Sequence, residues 1–299
     1  MPDQVLDTKA AHDAVGRALP DGVSLRRMTA DDIADAQALS HGFQWPFRIE
    51  DWRFAFSHAE GIVAMRDGEL VGTALRWLWG PRHATVGHVM VTPRMQGQRL
   101  GQHLMHALMA TLGGRTVLLH ATAEGRGVYE RMGFEITGEV RQHQGTASQS
   151  QVVALADGKR LRPLNRNDAD TLIALDTRAG GMPRDAMIRR LLSHSDTVVL
   201  ASDGDTAGFA TVRRFGRGHA IGPVVAPDLE SAKALIAYWC SRYAGKFLRI
   251  DVDAASGLPE WLEAQGLPRV ASATTMVRGG TLERGPRQGG WALVTQALG

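Results

Sequence analysis

A glycine-containing turn between a strand-like and a helix-like segment is the part of this sequence with the clearest chemical potential. The apolar run Val86–Val91 stops before Pro93, which has no N–H for a sheet and therefore ends a strand. Gly97 and Gly101 follow, and they allow a tight turn and a close approach of the backbone to a ligand. A helix-like stretch from Leu100 to Leu112 then points its first N–H groups and positive dipole end back at the turn. The segment predicts an anion site, most naturally for a phosphate.

Three other side chains have the chemistry to move protons. Tyr129 carries a phenol whose ordinary pKa of about 10 lets it supply a proton to a nearby thiolate, the alternative being a ring that only packs on the sheet. His88 precedes the turn on its strand, and His120 ends the short apolar run Val117–His120. Either histidine can accept a proton near neutral pH, directly or through water, although a lone histidine on a strand is more often structural.

The elements around these residues alternate between strand and helix patterns. Asp67-Gly68 joins two apolar runs and favours a tight hairpin. Thr29 can cap a helix from Ala30 to about Ser40. Strands are expected at 24–28, 62–65, 70–79, 86–92, 117–120, 135–140 and 149–156, a helix at 51–58, and a polar loop at 142–150.

Two motifs in this order resemble the acyl-CoA-binding segment of the GNAT N-acetyltransferase superfamily. The family turn Arg/Gln-x-x-Gly-x-Gly/Ala corresponds to Gln96–Gly101, with Arg99 standing where the family usually has glycine. This departure leaves the backbone conformation at Arg99 open, and it does not remove the anion site, because an αR conformation needs no glycine and an arginine adds charge. The segment Tyr129–Phe134, YERMGF, matches the Tyr-x-x-x-Gly-Phe pattern that the family carries further along the chain.

The resemblance implies a mixed α/β fold that binds acetyl-CoA as acyl donor and needs no metal. Backbone N–H groups of Val89 and Val91 would bind the pantetheine or acyl carbonyl. Such backbone donors stabilise an oxyanion and require no particular side chain. Tyr129 would be the general acid, with His88 or His120 as the base. The residues expected to hold the cofactor are Val89, Val91, Gln96, Gly97, Gln98, Arg99, Leu100, Gly101 and Gln102.

An aromatic segment earlier in the chain corresponds to the acceptor side of this fold. Trp45, Asp51 and Trp52, with Phe47 among them, could receive an amine through cation–π and charge contacts. They could equally staple two helices together or face a second domain. Asp251 and Asp253 in the run IDVD would contribute only if two domains faced each other.

The second half of the chain repeats the first. Leu25, Asp32 and Leu39 match Leu161, Asp168 and Leu175 at a constant offset of 136, and Asp67-Gly68 falls on Asp203-Gly204 at the same offset. We therefore expect a leader at 1–22, a GNAT domain at 23–156 and a second GNAT-like domain at 157–299. Each domain should carry a twisted, mostly antiparallel mixed sheet flanked by helices.

The second copy lacks the chemical features of the first. Glu230–Leu235 stands opposite the turn and has an acid but no glycine, and Leu262 stands opposite Tyr129. An acid there repels a pyrophosphate. The second copy is therefore predicted to keep the fold without the cofactor site.

Composition excludes several classes of protein. A formal charge of +3 in 299 residues, without a run of like charges, gives no basic stripe for nucleic acid. The single cysteine, Cys240, excludes an intrachain disulfide, and no Cys/His spacing indicates zinc. No signal peptide or membrane-length apolar run is seen, so a cytoplasmic protein is expected.

Three functions stay open from the sequence. The first is an acetyl-CoA-dependent N-acetyltransferase acting on a primary amine of a small molecule. The second is an acyl-CoA-binding regulatory or scaffold protein without turnover. The third is acetylation of protein or peptide amines. The sequence leaves the oligomeric state open.

Overall fold

The computed structural model describes residues 18–150, 153–282 and 289–299. The chain folds into two compact units, one formed by the described residues up to Leu119 and the other by most of the chain from His120 onward. Most of the predicted leader lies outside the described residues, as do residues 151 and 152. The predicted limits at 156 and 157 follow the sequence repeat and stay a prediction.

The first unit is a sheet whose strands neighbour one another in chain order, β1 to β5. Neighbours from β1 to β4 are antiparallel, and β5 is parallel to β4. The strands are β1 (Val23–Arg27), β2 (Ala59–Arg66), β3 (Glu69–Trp79), β4 (His83–Val91) and β5 (Thr116–Ala121), whose last two residues belong to the second unit. The helices are α1 (Ile33–Gly42), α2 (Ile49–Phe56) and α3 (Leu100–Met109).

Local sequence explains how these elements begin and turn. Asp67 and Gly68 both have positive φ, 52° and 80°, as a tight hairpin turn between β2 and β3 requires. The Asp32 carboxylate accepts the Thr29 N–H at 2.8 Å, and a short 3₁₀ turn leads into α1. Leu104 and Leu108 of α3 are buried, as are Val63 and Leu75 of the sheet, so burial of apolar side chains holds the helix on the strands.

The second unit repeats these elements and has three more strands. Its sheet runs in the order β12-β6-β11-β13-β10-β9-β8-β7. The strands are β6 (Glu135–Thr146), β7 (Lys159–Pro163), β8 (Asp196–Ser202), β9 (Asp205–Phe215), β10 (Gly218–Ala226), β11 (Phe247–Asp253), β12 (Arg269–Arg278) and β13 (Gly289–Ala292). The helices are α4 (Ala123–Arg131), α5 (Ala169–Gly180), α6 (Asp185–His194), α7 (Leu229–Arg242) and α8 (Pro259–Ala264).

Two expectations for residues 142–156 are wrong. The predicted polar loop begins too early, because β6 continues to Thr146 and is paired on both edges, with Asp251 of β11 and Ala271 of β12 both opposite Gln142. Pairing on two edges outweighs the polar local sequence. The strand predicted at 149–156 is absent from its described residues, which have no regular secondary structure.

Candidate active site

The turn after β4 has the backbone that an anion site needs. Residues Pro93–Met95 form a 3₁₀ turn, and Gly97 follows with φ 75°. The Arg99 carbonyl accepts the N–H groups of Gln102 and His103, at 2.9 and 3.2 Å, which starts α3. The N–H groups that precede these bonds have no partner within the helix and point toward the turn, at the positive end of the helix dipole.

The backbone at Arg99 is left-handed, with φ 61° and ψ 14°, and does not have the αR conformation that would need no glycine. A side chain in this region clashes with its own backbone, which is the physical reason for the glycine that the family pattern has here. The guanidinium remains a positive charge beside the helix N-terminus.

The glycines of the turn leave space for a ligand. A Cβ on Gly97 would meet nothing within 4 Å, and one on Gly101 would meet only Val91 Cγ2, at 3.7 Å. Gly101 does not have a positive φ, so the turn geometry does not require a glycine there. What the missing side chain provides is space for a ligand.

Two side chains of the turn donate hydrogen bonds to its backbone, and their predicted contacts to a cofactor stay a prediction. Gln96 Nε2 donates to the Val91 carbonyl at 3.1 Å, and Gln98 Nε2 donates to the Arg94 carbonyl at 3.2 Å. These amides therefore brace the turn. Leu100 is buried, so only its backbone N–H can serve a ligand, and Gln102 follows half-buried in the first turn of α3.

Strand β5 leaves β4 before the turn is reached. The two strands are paired only from His83 to Thr85, opposite Thr116 to Leu118. The Thr92 N–H donates to Val71 of β3, so by alternation the N–H groups of Val91 and Val89 point to the other side, where β5 has departed. Their expected oxyanion and pantetheine contacts stay a prediction.

His88 stands at a β-bulge with φ 50°, where His88 and Val89 together oppose one residue of β3. Three aromatic rings surround its imidazole: Phe47 is stacked at 5.3 Å, and Trp52 and Trp77 lie at 4.6 and 5.6 Å between ring centroids. Its buried Nδ1 has no hydrogen-bond partner among the described residues. Burial lowers the pKa of His88 to about 4, so the ring is neutral at pH 7 and a weak base.

The three acceptor-side candidates divide. Trp52 is fully buried and its indole N–H donates to Ser40 Oγ at 3.3 Å, so it supports His88 and offers no surface to an amine. The Asp51 carboxylate accepts from the Arg48 guanidinium and backbone N–H, at 2.8 and 2.9 Å, which caps α2. Trp45 is half-buried beside Phe47, with ring centroids 6.0 Å apart. Only Trp45 keeps a surface for substrate contact.

Tyr129 lies on α4, within the second unit. Gly125 makes room for its ring, since a Cβ there would come within 3.2 Å of Tyr129 Cε2, and Phe134 packs against it edge-on at 6.0 Å. Burial raises the pKa of Tyr129 to about 12. The phenol is therefore protonated at any working pH, as a general acid must be.

His120 is the residue before the last of β5 and is half-buried. Its Nδ1 lies 2.6 Å from the Gln296 carbonyl oxygen. The other candidates of the second copy are engaged: Asp251 is paired with Arg249 at 2.8 Å, and the Asp253 carboxylate accepts the Ala255 N–H at 2.8 Å.

In the second unit, protein groups occupy both the helix N-terminus and the gap between strands that correspond to the site of the first copy. Asp228 caps α7 by accepting the Ser231 N–H at 2.8 Å and pairs with Lys159. Although burial opposes ionisation, these hydrogen bonds hold the pKa of Asp228 below its usual value. The helix N-terminus that would bind a phosphate therefore already holds a carboxylate.

Strand β13 fills the gap between β10 and β11. These strands pair only from His219 to Ile221, after which Val224, Val225 and Ala226 pair with β13. They correspond by the repeat to Val89–Val91. Trp291 Nε1 donates to the Ala226 carbonyl at 2.9 Å, the contact that Gln96 makes to Val91 in the first copy.

Sequence reasoning missed this strand and the aromatic cluster. Gly289–Ala292 is too short for a periodic signal, and its place in the sheet depends on residues far away in sequence. Phe47 and Trp77 lie 41 and 11 residues before His88 in the sequence, so only the fold brings the three rings together. In the described ranges, no three His, Cys, Asp or Glu side chains cluster as a metal site would require. No helix that the structure describes is long and apolar enough to cross a bilayer.

Comparison with known proteins defines the class as a tandem acyltransferase. Two family models, each described as an acetyltransferase (GNAT) domain, match residues 37–150 and 172–288. The chain belongs to the GNAT acetyltransferase superfamily and contains two of its domains in tandem. The predicted fold class is thereby confirmed, and the chain is an acyltransferase.

Relatives along most of the chain agree with this. The uncharacterized N-acetyltransferase YitH of Bacillus subtilis (strain 168) is 26% identical over 238 residues, which cover 78% of this chain and 82% of YitH. A putative acetyltransferase from Pyrococcus horikoshii has the same fold with a TM-score of 0.74, 19% identity, and coverage of 95% and 98% of the two chains. A tandem GNAT protein from the clavulanic acid biosynthesis pathway matches with a TM-score of 0.61 and 14% identity, over 87% of this chain and 99% of that one.

Proposed function

We propose that the chain is an acetyl-CoA-dependent N-acetyltransferase whose acceptor is a primary amine of a small molecule. The observation that carries the proposal is the early departure of β5 from β4, which leaves the N–H groups of Val89 and Val91 directed into a gap. In the chain, the glycine turn and the N-terminus of α3 come directly after these residues. The second copy has the same gap and turn but fills them with its own residues. One acetyl-CoA per chain is therefore expected.

The residues of the first copy fit a pyrophosphate and a thioester. The N–H groups around Gly97–Gly101 and the exposed Arg99 would hold the phosphates. The Val89 and Val91 N–H groups would stabilise negative charge on the acyl oxygen. When bound, acetyl-CoA supplies an activated acetyl group on sulfur.

Proton transfer is assigned to His120 and Tyr129. His120 accepts the proton that the amine nitrogen loses as its bond to the acyl carbon forms. Tyr129 donates its hydroxyl proton to the sulfur that departs with the electron pair of the broken C–S bond. Solvent then carries the proton from the imidazolium to the tyrosinate, which restores both groups. His88 is the weaker candidate base because burial lowers its pKa to about 4.

Support for an amine comes from the half-buried Trp45 in a row of aromatic rings with Phe43 and Phe47, a surface that attracts a cation. We place the reaction in the cytoplasm, where acetyl-CoA is available. No nucleic acid or membrane takes part in the proposed reaction.

Calorimetric titration with acetyl-CoA tests the cofactor site. The parent should bind one equivalent, and Gly101→Glu should lose at least about 100-fold in affinity because its carboxylate enters the phosphate space. Gly114→Glu is the matched control, since it adds the same charge at an exposed position with no protein atom within 4 Å of the new Cβ. Two equivalents would contradict the assignment of the second copy, and no binding would refute the cofactor site.

Thiol release with a panel of amines tests turnover. Release with small primary amines supports the proposal. Release only with peptide or protein amines would replace the acceptor class. Binding of acetyl-CoA without release for any amine would favour a regulatory acyl-CoA-binding protein.

A further inference from the structure

The segment after β13 is fixed at both ends within the second unit. At its start, the Leu293 N–H donates to the Asp251 carbonyl at 2.9 Å. At its end, the Gly299 N–H donates to the Thr295 carbonyl at 3.1 Å, and the Val294 N–H donates to the Gly299 carbonyl at 3.1 Å. Arg184, held by the buried Asp176 at 2.6 Å, donates to the Gly299 carbonyl oxygen. Residues 293–299 therefore form a strap with a defined path.

The strap presents Gln296 to His120. The Gln296 carbonyl oxygen lies 2.6 Å from His120 Nδ1, and a carbonyl can only accept a hydrogen bond. Nδ1 must therefore carry the proton. In the neutral imidazole the lone pair then resides on Nε2.

The side chain of Gln296 makes a separate contact on the other side. Its Nε2 lies 3.4 Å from Asp251 Oδ1, and Asp251 is itself paired with Arg249. The main-chain carbonyl and the side-chain amide thus point to different partners. This separation allows the two contacts to be tested independently.

We propose that Gln296 is a positioning residue whose main-chain carbonyl fixes His120 in the Nδ1–H tautomer, with Nε2 as the proton acceptor for the attacking amine. The inference rests on the proposed function for the role of His120 as base. The tautomer itself does not depend on that function. Strand β13 thereby has two effects: it fills the gap of the second copy, and it begins the strap that orients a histidine at the end of β5.

The test measures the tautomer by ¹⁵N NMR of the histidine rings, with His120→Asn used to assign the His120 signals among the 11 histidines. In the full chain, His120 should carry its proton on Nδ1. A chain that stops after Thr295 lacks the carbonyl and should shift His120 toward the Nε2–H tautomer. Gln296→Ala keeps the main-chain carbonyl and should retain the Nδ1–H signal, so it also covers the case in which the shortened chain fails to fold.

Kinetics complete the test. The shortened chain should lose about 10- to 100-fold in kcat with little change in KM for acetyl-CoA, because only the orientation of the base is lost. His120→Asn, whose amide can still donate to Gln296, should lose kcat by at least as much. An Nε2–H tautomer in the full chain, or an Nδ1–H tautomer that survives the truncation, would overturn the positioning role. If the tautomers are as expected but kcat is unchanged in His120→Asn, His120 is not the base. That result would not affect the proposal that the first copy binds acetyl-CoA.

Discussion

The two anion turns of this chain start from the same fold and end in opposite chemistry. In the first copy, α3 begins after Arg99 with open space at Gly97 and Gly101. In the second, the Asp228 carboxylate occupies the N-terminus of α7 and Lys159 neutralises it. The gap beside each turn shows the same contrast, because β13 supplies backbone partners to Val224–Ala226, whereas no strand in the described part of the chain pairs with Val89–Val91 on that side.

Under the proposed function, the difference teaches that the second copy uses its own residues for each contact that the first copy would make to acetyl-CoA. A carboxylate replaces the phosphate at the helix dipole, and a strand replaces the ligand that would lie along the sheet. Trp291 takes over the hydrogen bond that Gln96 makes in the first copy.

The largest expected effect comes from Tyr129, whose counterpart in the second copy is the buried Leu262. Tyr129→Phe should lower kcat by about 10²- to 10³-fold, because the ring stays and only the donated proton is lost. The affinity for acetyl-CoA should stay unchanged. Steady-state thiol release and calorimetry measure the two quantities. Tyr238→Phe, on an exposed tyrosine of α7, is the control, and an equal loss in both variants would exclude a specific role for Tyr129.

At the β-bulge, His88 of the first copy corresponds by the repeat to Pro223 of the second. Burial lowers the pKa of His88 from 6.5 to about 4. Between these values the unfolded chain binds more protons than the folded one, so the free energy of unfolding should decrease as pH falls from about 6.5 to about 4. The contribution of His88 is at most about 3 kcal/mol.

His88→Asn should remove this part of the pH dependence, since asparagine does not titrate and tolerates a positive φ. Urea unfolding at pH 7 and pH 4.5 measures it for both proteins. Equal losses in the parent and the variant would mean that the folded chain accommodates a charged His88.

A smaller effect is expected at the cap of the second copy. Asp228→Ala should lower the free energy of unfolding by about 1 kcal/mol, because the Ser231 N–H loses its acceptor. Glu230→Ala removes an exposed acid from the same turn and should cost only a few tenths of a kcal/mol. Urea unfolding compares the two variants. Acetyl-CoA stoichiometry should stay at one, since β13 still fills the gap, and a second equivalent would show that Asp228 alone closes this copy.

The sequence was sufficient for features that depend on local pattern. The Asp67-Gly68 hairpin, the strand end at Pro93 and the helix start at Leu100 all follow from residues that act on their own backbone. Contacts between residues that are distant in the sequence could not be predicted from local pattern. The capping role of Asp51 required the position of Arg48, and the burial of Trp52 required the whole sheet.

At Arg99, the glycine of the family motif indicates the backbone conformation that the structure has. The family glycine signals a left-handed residue, and the structure has φ 61° there with an arginine side chain. Arg99→Gly should therefore raise the free energy of unfolding, by at most about 1 kcal/mol, because strain relief exceeds the added entropy of the unfolded chain. Gly97→Ala, at φ 75°, should change it by a similar amount in the opposite direction. Thermal and urea unfolding measure both variants.

The same Arg99→Gly change removes a positive charge beside the proposed phosphates, so the affinity for acetyl-CoA should fall a few-fold while stability rises. A variant that loses stability instead would mean that the Arg99 side chain contributes more to the fold than its backbone conformation costs.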